Sequence, residues 1–195
     1  IVAHLNGRMA DMDEILMLAE RKSLKVIVDA SHAIGSRYKN MPNGSFGDLI
    51  CLSLNPSKTL GGYGDGGAIL TNDTALAKKI SQLRIYGAPK WSEMHHNNII
   101  IGTNSRLSVL EAAILNEKLP YLDKTIAKQR ENYFLYKEIL RDVKELTWPK
   151  EDPDYFINGY RLPVLTKKRD ELRQFLEKRG EKLYNWYPVP LPRLP

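Results

Sequence analysis

Three short apolar runs, LKVIVDA at 24–30, LICLSL at 49–54 and GAILTN at 67–72, constrain this chain more than any other feature. Each is strand-sized, and turn-forming or helical sequence separates them, the pattern of a layered α/β fold with a mostly parallel sheet. LKVIVDA is uninterrupted, which predicts a buried strand. Before it, DMDEILMLAERKS gathers Ile15, Leu16, Leu18 and Ala19 on one helical face, behind acidic residues that suit a helix N-terminus. The chain opens without Met inside a strand-like segment, as a piece of a longer protein would.

Beyond GAILTN, Asn72 or Asp73 can cap a helix in which Leu76, Ile80 and Leu83 recur at helical spacing until Gly87 ends it. Residues 88–103 read as an irregular loop. A long helical pattern runs from Ser105 to Leu140, and Pro120 must kink or split it. That split divides the chain into 1–118, part of a larger α/β domain, and 119–195, part of a smaller α+β domain. The second part predicts a strand within 155–165, a helix over 168–179 stopped by Gly180, and an extended KLYNWYPVPLP. Proline cannot donate to a sheet ladder, so PVPLPRLP belongs in a loop or at an edge.

Composition excludes several classes. With 43% hydrophobic residues in 195, and 27% charged residues without a low-complexity tract, the chain is globular rather than disordered. Its apolar runs fall short of the ~20 residues a membrane helix needs, and no secretory signal is legible, so no membrane partner is expected. The single Cys51 sits in an apolar strand and rules out a disulfide framework, which fits a reducing, cytoplasmic compartment. The net charge of +6 comes from stretches such as TKKRDELRQFLEKRG, where acidic residues interleave the basic ones; this is a solvated face rather than a nucleic-acid site.

The segment SLNPSKTLGGYGDGG invites two phosphate-binding readings, and both fail. Gly62, Gly64 and Gly67 match G-x-G-x-x-G, but that fingerprint opens a helix and this one opens a strand. Lys58-Thr59 ends like a P-loop, yet Leu52 and Ser57 stand where its glycines belong. The adjacent His95 and His96 point apart on any regular element and lack further metal ligands at useful spacing. There is no nucleophile elbow for a serine triad.

The pairing of Asp29 with Lys58 remains. Asp29 is the lone charge at the C-terminal end of an apolar strand, the edge at which open α/β sheets bind ligands. Lys58 lies just past the next strand, at the same edge if the two are parallel. A desolvated lysine there suits Schiff-base chemistry, and pyridoxal 5'-phosphate (PLP) needs both such an amine and a carboxylate for its ring nitrogen. Ser53, Ser57 and backbone N–H groups freed by the glycines are available to a phosphate, with the backbone passing close to the ligand. On spacing alone, a structural Lys–Asp contact explains the pair equally well.

The segments VIVDASHAIGSRY, GSFGDLICLSLNPSKTLGGYGDGGAILTND and GTNSRLSVLEAAIL, with the opening AHLNGRMADMDEI, closely resemble the DegT/DnrJ/EryC1/StrS family of PLP-dependent sugar aminotransferases of fold-type I. The resemblance is strong over 1–140 and looser beyond. It implies that 1–118 is part of the PLP-binding large domain and 119–195 part of the small C-terminal domain. It also implies that Lys58 holds PLP covalently, Asp29 faces the pyridine nitrogen, His32 lies beside the cofactor and Ser53 binds its phosphate. Asn104 would reach the phosphate of the neighbouring subunit's cofactor, which implies a homodimer with shared active sites. Without the resemblance, a core histidine is the plainer account of His32, and a helix N-cap that of Asn104.

Further expectations come from the same source. The implied substrates are an amino-acid donor, glutamate in most of the family, and a nucleotide-linked keto sugar. Relatives acting as dehydratases carry His in place of the lysine, so Lys58 points to transamination. Family members are substantially longer, with a Gly-[ST] phosphate turn and a ring-stacking aromatic upstream of the segments found here. Pro192 stands where the family's YPxPLH has His. A non-catalytic dimerising or regulatory fragment with the same fold is the alternative.

Overall fold

The computed structural model describes residues 1–185, 188–189 and 191–193. A four-stranded sheet has the order β1 (Val2–Ala3), β2 (Ile27–Asp29), β5 (Leu49–Ser53), β6 (Gly67–Leu70). The first two pairings are parallel, with Ala3 opposite Asp29 and Asp29 opposite Cys51; β6 turns back antiparallel to β5. The sheet is thus mostly parallel, as the sequence predicts.

Helix α1 (Met12–Arg21) starts where Asp11 caps it, its side chain accepting the Glu14 N–H. Met12 and Ala19 pack with Val26, Val28, Ala30 and Ile50 in the main core. Successive side chains of a strand point to opposite faces, so the run 26–30 alternates: Val26, Val28 and Ala30 are buried, whereas Ile27 is 36% exposed. The expectation of a fully buried strand is therefore corrected, because α1 covers one face only. On the opposite face Ile69 of β6, level with Cys51, is also exposed.

Helix α2 (Thr74–Leu83) uses Asp73 as its cap, accepting the N–H groups of Ala75 and Leu76, and Gly87 follows with φ +81°. The long helical pattern is split at Pro120 into α3 (Val109–Lys118), a 3-10 turn at Leu119–Tyr121 and α4 (Leu122–Ile139). It begins at Val109 rather than Ser105, with Ser108 extended at the cap position. Leu115 of α3 closes a second core cluster with Ile34 and Leu54.

The strand expected within 155–165 shrinks to β7 (Tyr155–Phe156). It joins a small antiparallel sheet with β3 (Arg37–Tyr38) and β4 (Met41–Pro42), order β4-β3-β7. Gly159 at φ +74° turns the chain away from the ladder soon after Phe156, and Leu165 only bridges Thr147. Helix α5 (Arg169–Glu177) follows, with Gly180 at φ +83° beyond it. Of the extended ending, Trp186, Tyr187 and Pro190 lie outside the described residues; Leu191–Arg193, including Pro192, form a 3-10 turn. Among the described residues no helix is long and apolar enough to cross a membrane.

His4, just after β1, makes the fold acid-sensitive. It is 1% exposed, and its Nδ1 accepts the Ala10 N–H at 3.2 Å. The neutral ring then carries its proton on Nε2, a buried atom with no hydrogen-bond partner among the described residues. Burial pushes its pKa down to about 4, against a smaller upward pull from Asp29. Unfolded histidine titrates near 6.5, so as pH falls the unfolded state takes up the proton first. The contribution is complete above that value and disappears between about 6.5 and 4, in total about 3 kcal/mol. His4→Asn keeps an acceptor for Ala10 without the titration. Urea unfolding at pH 7 and pH 4 should therefore show a smaller acid loss in the variant; equal losses would mean that His4 protonates without cost.

Candidate active site

The parallel register of β1, β2 and β5 brings their C-terminal ends to one edge, and the polar side chains there come from the turns that end each strand. Asp29 closes β2, and its Oδ1 accepts the Ser31 N–H at 2.9 Å, which bends the chain off the sheet. Burial would raise its pKa, but the Ser31 hydrogen bonds and the charges of His32 and Lys58 outweigh it, so the carboxyl lies below its ordinary value and stays ionised.

After β5 ends at Ser53, Asn55 builds a second turn of the same kind. Its Oδ1 accepts the Ser57 N–H (3.0 Å) and hydroxyl (2.8 Å), and its carbonyl accepts the Lys58 N–H at 2.9 Å. Asn55 Nδ2 donates to Asp65 across the loop at 2.9 Å. This double tether returns a half-buried Lys58 to the sheet edge occupied by Asp29. The Ser53 hydroxyl, at the end of β5, accepts the Asn55 N–H at 3.4 Å.

The His32 and Tyr160 rings meet at a tilt beside the amine. Their ring centroids are 4.9 Å apart, and Lys58 Nζ lies 5.5 Å from the centre of the Tyr160 ring. His32 Nδ1 faces the Asn6 N–H at 3.5 Å. Its pKa is lowered by burial and by the positive charges of Lys58 and Arg161, with Asp29 pulling the other way. Arg161 donates to the Tyr160 hydroxyl at 3.2 Å. Burial alone would raise the tyrosine pKa, yet hydrogen bonds from Arg161 and Ser57 and the nearby charges bring it below 10. The edge therefore combines one ionised carboxylate with a field of fixed positive charge.

The four residues expected around this chain's own cofactor, Asp29, His32, Ser53 and Lys58, stand at this edge. Asn104 stands elsewhere: it bridges Ile85 beyond α2, is exposed, and its Oδ1 accepts from Arg106 Nε at 2.6 Å. Sequence reasoning missed Tyr160, Arg161 and Asn158. Their only local signal is the turn-like NG at 158–159, and nothing in the spacing ties it to Lys58 about a hundred residues earlier.

Two of the glycines after Lys58 are also demanded by packing within the loop. A Cβ on Gly61 would lie 2.7 Å from the Asn55 carbonyl oxygen and 2.6 Å from that of Pro56, and one on Gly62 would lie 2.0 Å from a Glu111 carboxylate oxygen. They let the loop fold onto its own backbone and onto α3, where Glu111 accepts the Tyr63 N–H at 2.9 Å. Cys51 is no rival nucleophile, since burial and the Asp29 charge push its thiol pKa up. His95 and His96 are exposed in their loop, and the described residues hold no cluster of three His, Cys, Asp or Glu side chains fit for a metal.

The donor set fits PLP: an ionised carboxylate for a protonated ring nitrogen, an amine on the same edge, a ring beside it and a hydroxyl at the strand end. A mostly parallel α/β sheet with that edge defines the large domain of a fold-type I PLP-dependent aminotransferase. DesV of S. venezuelae, solved in complex with a ketimine intermediate, superposes with a TM-score of 0.92 at 35% identity, covering 100% of this chain and 52% of that one. In sequence, the "Pleiotropic regulatory protein" of Geobacillus stearothermophilus is 40% identical over 98% of this chain and 51% of its own length. The dTDP-3-amino-3,4,6-trideoxy-alpha-D-glucose transaminase of Streptomyces venezuelae is 36% identical over 96% of this chain and 48% of its own. The profile of the DegT/DnrJ/EryC1/StrS aminotransferase family matches residues 1–195, and the chain belongs to that family, whose aminotransferases are PLP-dependent. It spans about half the length of the curated relatives it matches.

Proposed function

We propose that this chain carries the lysine-bearing part of an aminotransferase that moves an amino group from an amino acid, glutamate first among candidates, to a nucleotide-linked keto sugar. The observation that supports it most is the meeting of Lys58 and Asp29 at one sheet edge, with the positive charge of Arg161 nearby. When bound, PLP supplies the carbonyl that takes up amino groups and the electron sink that stabilises a carbanion. Asp29 accepts the ring N–H and keeps the nitrogen protonated. Lys58 would hold the cofactor, and its amine, when free, would be the acid–base group that takes up and returns the donor's Cα proton. The Ser53 hydroxyl serves the phosphate and His32 flanks the ring.

In this reading the exposed Asn104 serves the phosphate site of a second copy, so the active form is a homodimer working in the cytoplasm. Residues 1–118 belong to the large domain and 119–195 to the small one. A longer form of the protein that includes the upstream phosphate turn, mixed with PLP, should turn yellow and lose the colour on adding glutamate.

A second reading, a non-catalytic dimerising or regulatory protein, is favoured by the regulatory name of the 40%-identical relative. Failure of the longer form to develop colour or to retain PLP after borohydride reduction would leave that reading standing.

A further inference from the structure

From this geometry we infer that Asn158 is the positioning residue of the site, the side chain that holds the His32 turn and the Tyr160–Arg161 segment against each other beside Lys58. Asn158 is wholly buried. Its Nδ2 donates to the carbonyls of His32 (3.0 Å) and Ile34 (2.9 Å), more than 120 residues away in sequence. Its Oδ1 accepts the Tyr160 N–H at 2.9 Å, and its own N–H donates to the Gly7 carbonyl at 3.2 Å. Both amide protons and the carbonyl are thus used, each on backbone.

The surroundings are shaped to this one side chain. Gly7, at φ +86°, has no room for a Cβ, which would lie 2.2 Å from Asn158 Oδ1. The glycine of the opening segment AHLNGR is therefore required by a contact with the far end of the chain. Ser36 donates to the same Gly7 carbonyl at 2.7 Å, so three separate segments meet there. On the other side Gly159 lies flush on α4, where a Cβ would be 2.6–2.7 Å from the backbone of Gln129 and Arg130. With residues 157–161 seated in this way, the 4.9 Å contact of the His32 and Tyr160 rings follows from the backbone hydrogen bonds.

The bearing of Asn158 on catalysis rests on the role proposed for Lys58, but its positioning role is testable without PLP. The chain has four histidines, so the His32 titration can be followed by NMR and assigned with His32→Gln. The Tyr160 titration is isolated by ultraviolet difference against Tyr160→Phe. In Asn158→Ala, and less so in Asn158→Ser, His32 should titrate higher, toward 6.5, as its turn loosens. Tyr160 should move up to 10 or beyond as its hydrogen bonds from Arg161 and Ser57 are lost. Val26→Ala, in the α1 core, should destabilise the fold and leave both titrations unchanged. Unchanged His32 and Tyr160 titrations in folded Asn158 variants would overturn the inference. If neither variant folds, hydrogen exchange of the native chain decides: slow exchange at the Asn158 side-chain amide and the Tyr160 N–H is expected, and exchange at the rate of open amides refutes it. Neither result depends on PLP capture at Lys58, so the two assignments fail separately.

Discussion

Replacing Lys58 with Ala is expected to abolish covalent capture of PLP at this site, so that borohydride reduction followed by peptide mapping finds no modification on the segment NPSKTLGG. Any transamination should fall by at least about 10²–10⁴-fold, the contribution typical of a positioned acid–base group alone. Lys58→Arg should be equally inactive, because a guanidinium keeps the charge but is never neutral enough to form an imine. The comparison separates chemistry from electrostatics: Arg at 58 can still neutralise Asp29 and sit over the Tyr160 ring. An undiminished yield of adduct in Lys58→Ala, carried by another lysine, would show that the wrong amine has been named.

Gly87→Ala should give the largest loss of stability among single-methyl changes. Gly87 has φ +81°, where a Cβ costs about 1–2 kcal/mol in backbone strain. That Cβ would also lie 1.6 Å from the carbonyl oxygen of Ile100, backbone that cannot rotate aside. Gly87 accepts the Ile99 N–H at 3.0 Å, so relieving the clash opens the loop that leads to Asn104. Strain and overpacking together should cost about 3–5 kcal/mol, lowering the unfolding midpoint by roughly 10 °C in a chain of this size. A midpoint within about 2 °C of wild type, below the shift of a single kcal/mol, would mean that the loop yields freely.

The site was partly legible in the sequence for a definite reason. Asp29 and Lys58 each follow an apolar strand, and parallel pairing of β2 with β5 is enough to carry strand ends to a common edge. Ser53 was legible for the same reason, as the last residue of β5. The helix stops and caps were local too: Asp73, Gly87, Pro120 and Gly180 act within a turn of where they stand. What failed was reasoning that needed a partner from elsewhere. The strand predicted over 155–165 stops after Phe156 because Gly159 is seated on α4, and LKVIVDA is covered on one face because a single helix packs there.

The glycines after Lys58 show the division most clearly. Their number and place announced a tight loop, but only the fold reveals that the crowding atoms are the carbonyls of Asn55 and Pro56 and the carboxylate of Glu111. Local pattern determined the α/β class, the strand ends, the helix boundaries and the pairing of a lysine with an aspartate, because each depends on residues within a few positions or on one strand pairing. Tertiary structure alone decided that the Tyr160 ring, with Arg161 on its hydroxyl, comes to the Lys58 amine and that Asn158 locks this segment to the His32 turn. Hydrogen bonds spanning more than a hundred residues leave no periodicity in the chain; they exist only once packing has brought the carbonyls of His32 and Ile34 to the buried amide that satisfies them.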